Sequence, residues 1–319
     1  MSFRQITVSG LPAIALRSEQ IEAIVIPSLG SKISNLRRLR GREWLWRNPQ
    51  IPLSLPREGA SYVETADSGG WDECFPTVGA CPMPGGDPDD ALLPDHGELW
   101  SSLWTSEVYD HDGGTTLSSR VEGRRLPYSF TRHLTLAASG CEMVLRYQLE
   151  HLGPVDFPFL WSAHPLFNIQ PGSRLTLPGV SRVRVDAVHG RDDIAPGMTI
   201  QWPLDGDSDG YLHGGRSGWA AKVFAETSGG RMVLTDPLKG EQFEMTVDAS
   251  AVPQIGVWIN AQGWAPPGMR PYENIGVEPC IGAPDRLDRA VNDWHMASIL
   301  RVGEARSWTV TVALREAVD

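Results

Sequence analysis

The sequence is built from short segments in which apolar and polar residues alternate, and this period of two restricts the chain to β-structure. The alternation is clear over residues 141–150, 182–186 and 307–314. Successive side chains of a strand point to opposite faces of its sheet, so each segment is interpreted as a strand with one buried face. Segment 132–138 joins 141–150 across a Ser-Gly turn at 139–140, which predicts an antiparallel hairpin.

Turn-forming residues are spread along the whole chain and do not gather into a linker. The 33 glycines and 25 prolines separate short strand-like runs, and helical periodicity is almost absent apart from a helical turn or two within residues 285–294. We therefore predict an all-β fold, a large antiparallel β-sandwich with few short helices, in a single domain over residues 1–319. The long Pro-, Gly- and Asp-rich loop at 79–94 leads directly to His96 and is expected to border a site.

Composition excludes several classes of protein. No stretch approaches the roughly 18–20 uncharged apolar residues of a membrane span, and the first residues do not resemble a secretory signal, so a cytoplasmic location without membrane contact is expected. The formal charge of −11 opposes binding to nucleic acid. The four cysteines contain no CxxC pair, so neither a disulfide framework nor a metal site is predicted.

Three titratable residues stand out by their surroundings. His164 lies in the apolar run WSAHPLFNI, which would tune its pKa, although it could equally be a core histidine bonded to a backbone carbonyl. His96 precedes Gly97, where backbone can approach a ligand, but it could also be a surface turn residue. Glu278 lies in the apolar segment NIGVEPCIGAPD and needs a partner or a purpose. Its structural alternative is an ion pair with an arginine such as Arg286 or Arg289.

Aromatic and acidic residues cluster near these candidates. Twelve tryptophans outnumber the other aromatic types, and an indole face stacks well on the apolar face of a pyranose. Most of them belong in the core, but Trp71, Trp100 and Trp161 are close enough in sequence to the candidates to form a sugar platform. Asp72 and Glu73 form an acidic turn that could line a pocket or face solvent.

Taken in order, the segments PSLGSKISNLRRLRGREWLW, SGGWDECFP, HGELWSSLW, WSAHPLFNI and NIGVEPCIGAPD resemble the motif series of the aldose 1-epimerase family, which contains the galactose mutarotases. The resemblance runs from about Ile24 to Asp288. It implies a galactose mutarotase-like β-sandwich, a monosaccharide substrate and no cofactor. By the same resemblance His164 matches the general acid, Glu278 the general base, and His96 a substrate-contacting histidine. The implied protein is a monomer or a homodimer.

Two departures from the family pattern bear on the substrate. Trp100 occupies the arginine position of the HGFAR motif, and Ala163 replaces an asparagine before the histidine. Loss of a bidentate cation argues against a hexose phosphate and for a neutral aldose, unless Lys32, Arg132 or Lys222 compensates. The predicted reaction interconverts anomers, with Glu278 as carboxylate and His164 as imidazolium.

Three other functions stay open on the sequence alone. They are a hexose-phosphate epimerase, a non-catalytic sugar-binding protein on the same fold, and a glycoside hydrolase that pairs Glu278 with Asp72 or Glu73.

Overall fold

The computed structural model describes residues 3–57, 60–87, 92–204, 217–227 and 229–317. Within these ranges the strands are β1 (Phe3–Val8), β2 (Leu11–Arg17), β3 (Ile21–Ile26), β4 (Lys32–Arg38), β5 (Trp71–Cys74), β6 (Thr105–His111), β7 (Gly114–Glu122), β8 (Tyr128–Ala137), β9 (Glu142–His151), β10 (Phe157–Phe159), β11 (Trp161–Phe167), β12 (Arg174–Thr176), β13 (Arg182–His189), β14 (Thr199–Gln201), β15 (Trp219–Glu226), β16 (Arg231–Asp236), β17 (Glu241–Val247), β18 (Gln254–Ala261), β19 (Glu273–Ile281), β20 (Ser298–Leu300) and β21 (Ala305–Glu316). Helical structure in the described residues is limited to a π-helical turn at Tyr62–Ala66 and one α-helix, α1 (Leu287–Asn292).

The strands form a large antiparallel sheet, a smaller antiparallel sheet and a two-stranded ribbon. The large sheet has eleven strands in the order β1-β2-β3-β4-β5-β11-β19-β18-β15-β13-β14. The small sheet has eight, in the order β12-β16-β17-β21-β9-β8-β7-β6, and β10 pairs with β20. Neighbouring strands run antiparallel, as between β11 and β19 or between β8 and β9. The predicted all-β sandwich with few short helices is therefore confirmed.

The core lies between the two sheets. Alternate residues of β9 and β21 are buried, and their aromatic rings meet rings of the large sheet. Trp161 on β11 contacts Tyr147 on β9 and Trp308 on β21, each with ring centroids 4.9 Å apart. A large aromatic side chain buries roughly 150–250 Å², worth about 4–6 kcal/mol at about 25 cal/mol per Å². Contacts of this kind hold the sheets face to face.

The local predictions from periodicity also hold. β8 and β9 form the predicted hairpin, with Leu136 opposite Met143. The segments at 182–186 and 307–314 lie in β13 and β21, and α1 lies within 285–294. The long loop is more ordered than predicted, because Cys81 and Leu93 pair across it; residues 88–91 of that loop lie outside the described residues. Among the residues that the structure describes, no helix combines the length and apolarity that a bilayer crossing needs.

Candidate active site

The side chains of strand β11 point alternately into the core between the sheets and to the opposite face of the large sheet. Trp161, Ala163 and Phe167 belong to the core between the sheets. Ser162 and His164 point to the other face of the large sheet, because successive side chains of a strand alternate. All seven residues of β11 are buried, so this second face is also covered. A buried histidine on the face away from the main core is placed to line a pocket.

Register brings two more charged residues onto the same face. Ser162 pairs with Cys280 and Leu166 with Gly276, so the antiparallel register places Glu278 opposite His164. β18 lies next to β19, and β15 lies beyond it. On β15, Lys222 is buried and reaches diagonally across β18 to Glu278. Three residues far apart in sequence are therefore neighbours.

A pocket of about 200 Å³ opens on this face. Its volume lies below the roughly 300–1,000 Å³ of sites for drug-sized ligands, which suits a ligand the size of a monosaccharide. The described residues that line it are Val63, Asp67, Val78, His96, His164, Leu166, Ala187, His189, Lys222, Trp258, Trp264, Tyr272, Glu278 and Asp285.

Glu278 is the central anion of the pocket. Its Oε2 accepts hydrogen bonds from Lys222 Nζ at 2.5 Å and Ser162 Oγ at 3.2 Å. Its Oε1 has no hydrogen-bond donor among the described residues and lies 3.7 Å from His164 Nε2. Burial disfavours the carboxylate, but the charge of Lys222 and its hydrogen bond to Oε2 outweigh burial and lower the pKa of Glu278. The group is thus an ionised acceptor with one oxygen unused.

The surroundings of His164 favour its neutral form over the predicted imidazolium. Burial lowers the pKa of His164 to about 3, and the nearby charges of His96, Lys222 and Lys32 act in the same direction against the attraction of Glu278. The sequence context suggested a pKa of His164 near neutrality. The apolar neighbours of His164 in sequence do not show which cations other parts of the fold place beside it.

The surroundings of His96, unlike those of His164, favour the protonated form. Burial opposes its protonation, but Asp95, whose Oδ1 lies 2.9 Å from His96 Nδ1, raises the pKa of His96. The residue adopts φ +57°, in the left-handed region, and its ring stacks on Tyr62 at 4.0 Å between centroids. The His96 and His164 rings are 4.9 Å apart. The two histidines therefore face the same pocket, and the opposite shifts of their pKa values favour a protonated His96 beside a neutral His164.

Two further carboxylates line the pocket. Burial raises the pKa of Asp67 to about 6 and that of Asp285 to about 7, against the opposing attraction of nearby lysines. Tyr272 donates a hydrogen bond to Asp67. Asp285 Oδ1 lies 3.3 Å from Lys222 Nζ, so one ammonium group serves two pocket carboxylates.

The predicted tryptophan platform does not fit the positions of its members. Trp71 and Trp161 lie in the core between the sheets. Each is an odd number of positions from Asp72 or His164, which pair across the strands and share the opposite face, so alternation turns both tryptophans away from the pocket. Trp100 lies behind the pocket, where its Nε1 donates to the Asp95 carbonyl at 3.0 Å and thereby supports the loop that carries His96.

The pocket has a different aromatic wall, formed by Trp258, Trp264 and Tyr272. Trp258 and Trp264 meet edge to face at 5.7 Å. Trp258 lies on β18, the strand between Glu278 and Lys222, and only sheet order reveals that it faces the site. Sequence proximity to the candidate histidines was therefore the wrong guide to the platform.

Asp72 and Glu73 neither line the pocket nor face solvent, because each is buried against a cation. Asp72 contacts Lys32 Nζ and accepts from Tyr62 Oη at 2.7 Å. Lys32 also donates to the Gly69 carbonyl at 2.7 Å. Tyr62, which donates to Asp72, is also the ring on which His96 stacks. Asp72 and Lys32 do not line the pocket, so direct sugar binding by either residue is not supported.

Arg132 and Glu73 join the two sheets on the core side of β5. Arg132 Nη1 lies 2.9 Å from Glu73 Oε1. The other donors to Glu73 are Tyr147 Oη at 3.0 Å and Trp161 Nε1 at 3.1 Å. Arg132 pairs with Glu73 and does not line the pocket, so it is not placed to bind a substrate, contrary to the sequence-based prediction.

Lys222, which the sequence suggested only as a compensating cation, is the partner of Glu278. Arg286 pairs instead with Asp288 and Arg289 with Asp186, so the alternative ion pairs are wrong. The sequence carried one indirect signal, which marks crowding without naming the lysine: isolated glycines inside strands indicate a close approach. A Cβ at Gly276 would lie 2.8 Å from Glu278 Oε1, and one at Gly256 would lie 3.3 Å from Lys222 Cε.

Solved structures resemble the chain over nearly its whole length. The Slr1438 protein of Synechocystis sp. PCC 6803 has a TM-score of 0.71 at 16% identity, covering 99% of both chains. The fold is that of the galactose mutarotase-like proteins. A galactose mutarotase-like protein of Lactobacillus casei matches with a TM-score of 0.65 at 16% identity, over 95% of this chain and all of that one.

A galactose mutarotase related enzyme of Lactobacillus acidophilus gives a TM-score of 0.62 at 14% identity, over 96% of this chain and 98% of that one. No family model matches the sequence, and no curated protein matches it. The TM-scores show the mutarotase-like fold, and at these low identities the activity has to be argued from the chemistry of the site.

Proposed function

We propose that the protein is an aldose 1-epimerase that interconverts the α and β anomers of a neutral aldose. The observation that carries this proposal is the pair formed by His164 Nε2 and Glu278 Oε1, which face each other at 3.7 Å in a pocket of monosaccharide size. An ionised carboxylate with one free oxygen and a protonated histidine pair are the base and acid that ring opening requires.

The reaction conserves protons at each step. Glu278 Oε1 accepts the proton of the anomeric hydroxyl, the histidine pair donates its proton to the ring oxygen, and the C1–O5 bond breaks to give the open aldehyde. Rotation about C1–C2 presents the other face of the carbonyl. The O5 hydroxyl then attacks C1 and returns its proton to the histidines, while Glu278 returns the first proton to O1.

The general acid in this proposal is the pair formed by His96 and His164. Asp95 raises the pKa of His96, which favours His96 as the member that holds the proton, and His164 Nε2 lies 3.7 Å from Glu278 Oε1. With ring centroids 4.9 Å apart, both are within reach of the same sugar. Proton donors work best when their pKa lies near the working pH, and that condition favours His96 as the resting holder of the proton.

The charges around the pocket favour a neutral sugar. Apart from the histidines, the cation among its described lining residues is Lys222, which already contacts Glu278 and Asp285. Asp67 adds a further acidic group. Among the described lining residues a phosphate group would meet carboxylates and no arginine fork, so the phosphate-sugar alternative is not favoured. The wall of Trp258, Trp264 and Tyr272 offers the apolar surface on which a pyranose can stack.

The decisive test is anomer exchange by the purified protein and its Glu278→Gln variant. Exchange of a panel of aldoses is measured by saturation-transfer NMR and by polarimetry of fresh α-glucose or α-galactose. Glu278→Gln is expected to lower the rate by about 10²- to 10⁴-fold, the usual contribution of a positioned base. Glu316→Gln, a substitution at an exposed glutamate, is the matched control and should keep the wild-type rate. Equal rates in both variants would remove the assignment.

Two other functions predict different outcomes. A sugar-binding protein would bind an aldose in calorimetry without accelerating anomer exchange. A glycoside hydrolase would release reducing sugar from a glycoside. The hydrolase is weakened because Asp72 and Glu73, its proposed second carboxylates, are buried against Lys32 and Arg132.

A further inference from the structure

Lys222 is a buried cation with two carboxylate partners, and its role is not explained by the acid and base alone. Its Nζ lies 2.5 Å from Glu278 Oε2 and 3.3 Å from Asp285 Oδ1, and the residue is 4% exposed. Burial disfavours the ammonium form, but Asp285 and Glu278 raise the pKa of Lys222. A desolvated ammonium group is costly unless it is paired, and here the pairing involves the proposed base.

The two oxygens of Glu278 differ in their surroundings. Oε2 receives both donors, Lys222 Nζ and Ser162 Oγ. Oε1 is buried and has no donor in the part of the chain that the structure describes, and Gly276 leaves space beside it, because a Cβ there would lie 2.8 Å away. An ion pair with a purely structural role gains by saturating both oxygens of its carboxylate. This one saturates a single oxygen and leaves the other facing the pocket.

We propose that Lys222 is the positioning residue for the general base: it holds Glu278 by Oε2 so that Oε1 remains an ionised acceptor aimed at the anomeric hydroxyl. The proposal rests on the proposed function for the role of Glu278. Lys222 itself transfers no proton, because the two carboxylates hold it in the ammonium form. Its effect is to decide which oxygen meets the substrate and over which pH range that oxygen is charged.

Several titratable groups act on Glu278 besides Lys222, and a change in its ionisation has to be judged against all of them. His164 lies opposite on β11, His96 approaches from the loop before β6, and Asp285 lies beyond Lys222. The titratable groups that face Glu278 are His96, His164, Lys222, Asp285, Cys74 and Cys280. Of these, Lys222 is the one that contacts Glu278 within 3 Å, so its removal should dominate.

The first test is Lys222→Met, which keeps most of the side-chain volume and removes the charge. An opposite charge at this distance shifts a carboxyl pKa by about 1–3 units. The acidic limb of the kcat/KM profile should therefore move up by about 1–3 pH units, because Glu278 must be ionised to act. At neutral pH kcat should fall with little change in KM. Lys239→Met, at an exposed lysine, is the matched control and should leave the limb in place.

Coupling to Glu278 separates positioning from a general structural effect. In a Glu278→Gln background, Lys222→Met should cause no further loss of activity, because the group through which it acts is gone. Lys222→Gln, which keeps a donor for Oε2 without a charge, supplies a second variant and should also move the limb upward. A further loss in the Glu278→Gln background, or an unchanged limb in both lysine variants, would overturn the proposal.

A measurement that needs no turnover distinguishes this proposal from the proposed function. Difference infrared spectroscopy follows protonation of the Glu278 carboxyl group, with Glu278→Gln identifying its band. Lys222→Met should protonate at a pH about 1–3 units above wild type. The same midpoint in both proteins would refute the role of Lys222 even if the enzyme is active. Absence of anomer exchange with every aldose would refute the proposed function while this midpoint still tests the lysine.

Discussion

Replacing Arg132 with methionine tests whether this arginine joins the sheets or binds the sugar. Arg132 and Glu73 are 1% and 0% exposed and lie 2.9 Å apart. Removing one partner of a buried pair costs about 3–5 kcal/mol, because the other charge stays buried without compensation. Tyr147 and Trp161 still donate to Glu73, so we expect the lower end, a loss of about 3 kcal/mol in the free energy of unfolding at pH 8.

The loss should depend on pH with a definite sign. Burial raises the pKa of Glu73 from its ordinary 4.5 to about 7, against the attraction of Arg132. Because the folded protein binds the Glu73 proton more tightly than the unfolded chain does, protonation of Glu73 stabilises the fold. This stabilisation is fully present below the unfolded pKa and is lost as pH rises through the folded pKa. Arg132→Met raises the folded pKa further, so the variant should go on losing about 1.4 kcal/mol per pH unit above pH 7, where the wild type levels off.

Urea unfolding of both proteins between pH 6 and pH 9 measures this difference, and anomer exchange measures KM in parallel. The double variant Arg132→Met with Glu73→Gln removes the uncompensated charge and should recover part of the lost stability. KM should not change. A variant of wild-type stability with a raised KM would place the guanidinium at the substrate and refute the reasoning.

Two further predictions concern the pocket. Trp258→Leu should weaken sugar binding by about 0.5–1.5 kcal/mol, roughly 2- to 10-fold in KM with kcat retained; an unchanged KM across the aldose panel would exclude Trp258 from the platform. Asp95→Asn removes the charge that raises the pKa of His96, so the alkaline limb of kcat/KM should move to lower pH, because the acid must be protonated to act. A limb that stays in place would mean that His96 is not the resting proton holder.

Much of the fold could be predicted because alternation is a local property. The hairpin of β8 and β9 and the strands at 182–186 and 307–314 follow from side chains that must point alternately to core and solvent. The same rule, applied from His164, would have placed Trp161 on the core side of β11. Nearness in sequence suggested the opposite, and in a strand the parity of the separation decides the face.

The lysine that contacts Glu278 could not be identified from the sequence. Lys222 and Glu278 are 56 positions apart and lie on strands separated by β18. Arg286 and Arg289 were the nearer cations in sequence, but both lie at or beyond the start of α1 and pair with Asp288 and Asp186. Which cation reaches a buried carboxylate depends on strand order and register, which are properties of the whole sheet.

Alternation of apolar and polar residues was enough to predict the strands, and the ordered motifs identified His96, His164 and Glu278 as candidate site residues. The folded chain shows which of them meet, that their surroundings lower the pKa of His164 and raise that of His96, and that Lys222 and Ser162 both donate to Glu278. The physical reason is one of range. Strand formation depends on neighbours two positions away, whereas pKa values and ion pairs depend on charges that pairing between distant strands brings within a few ångströms.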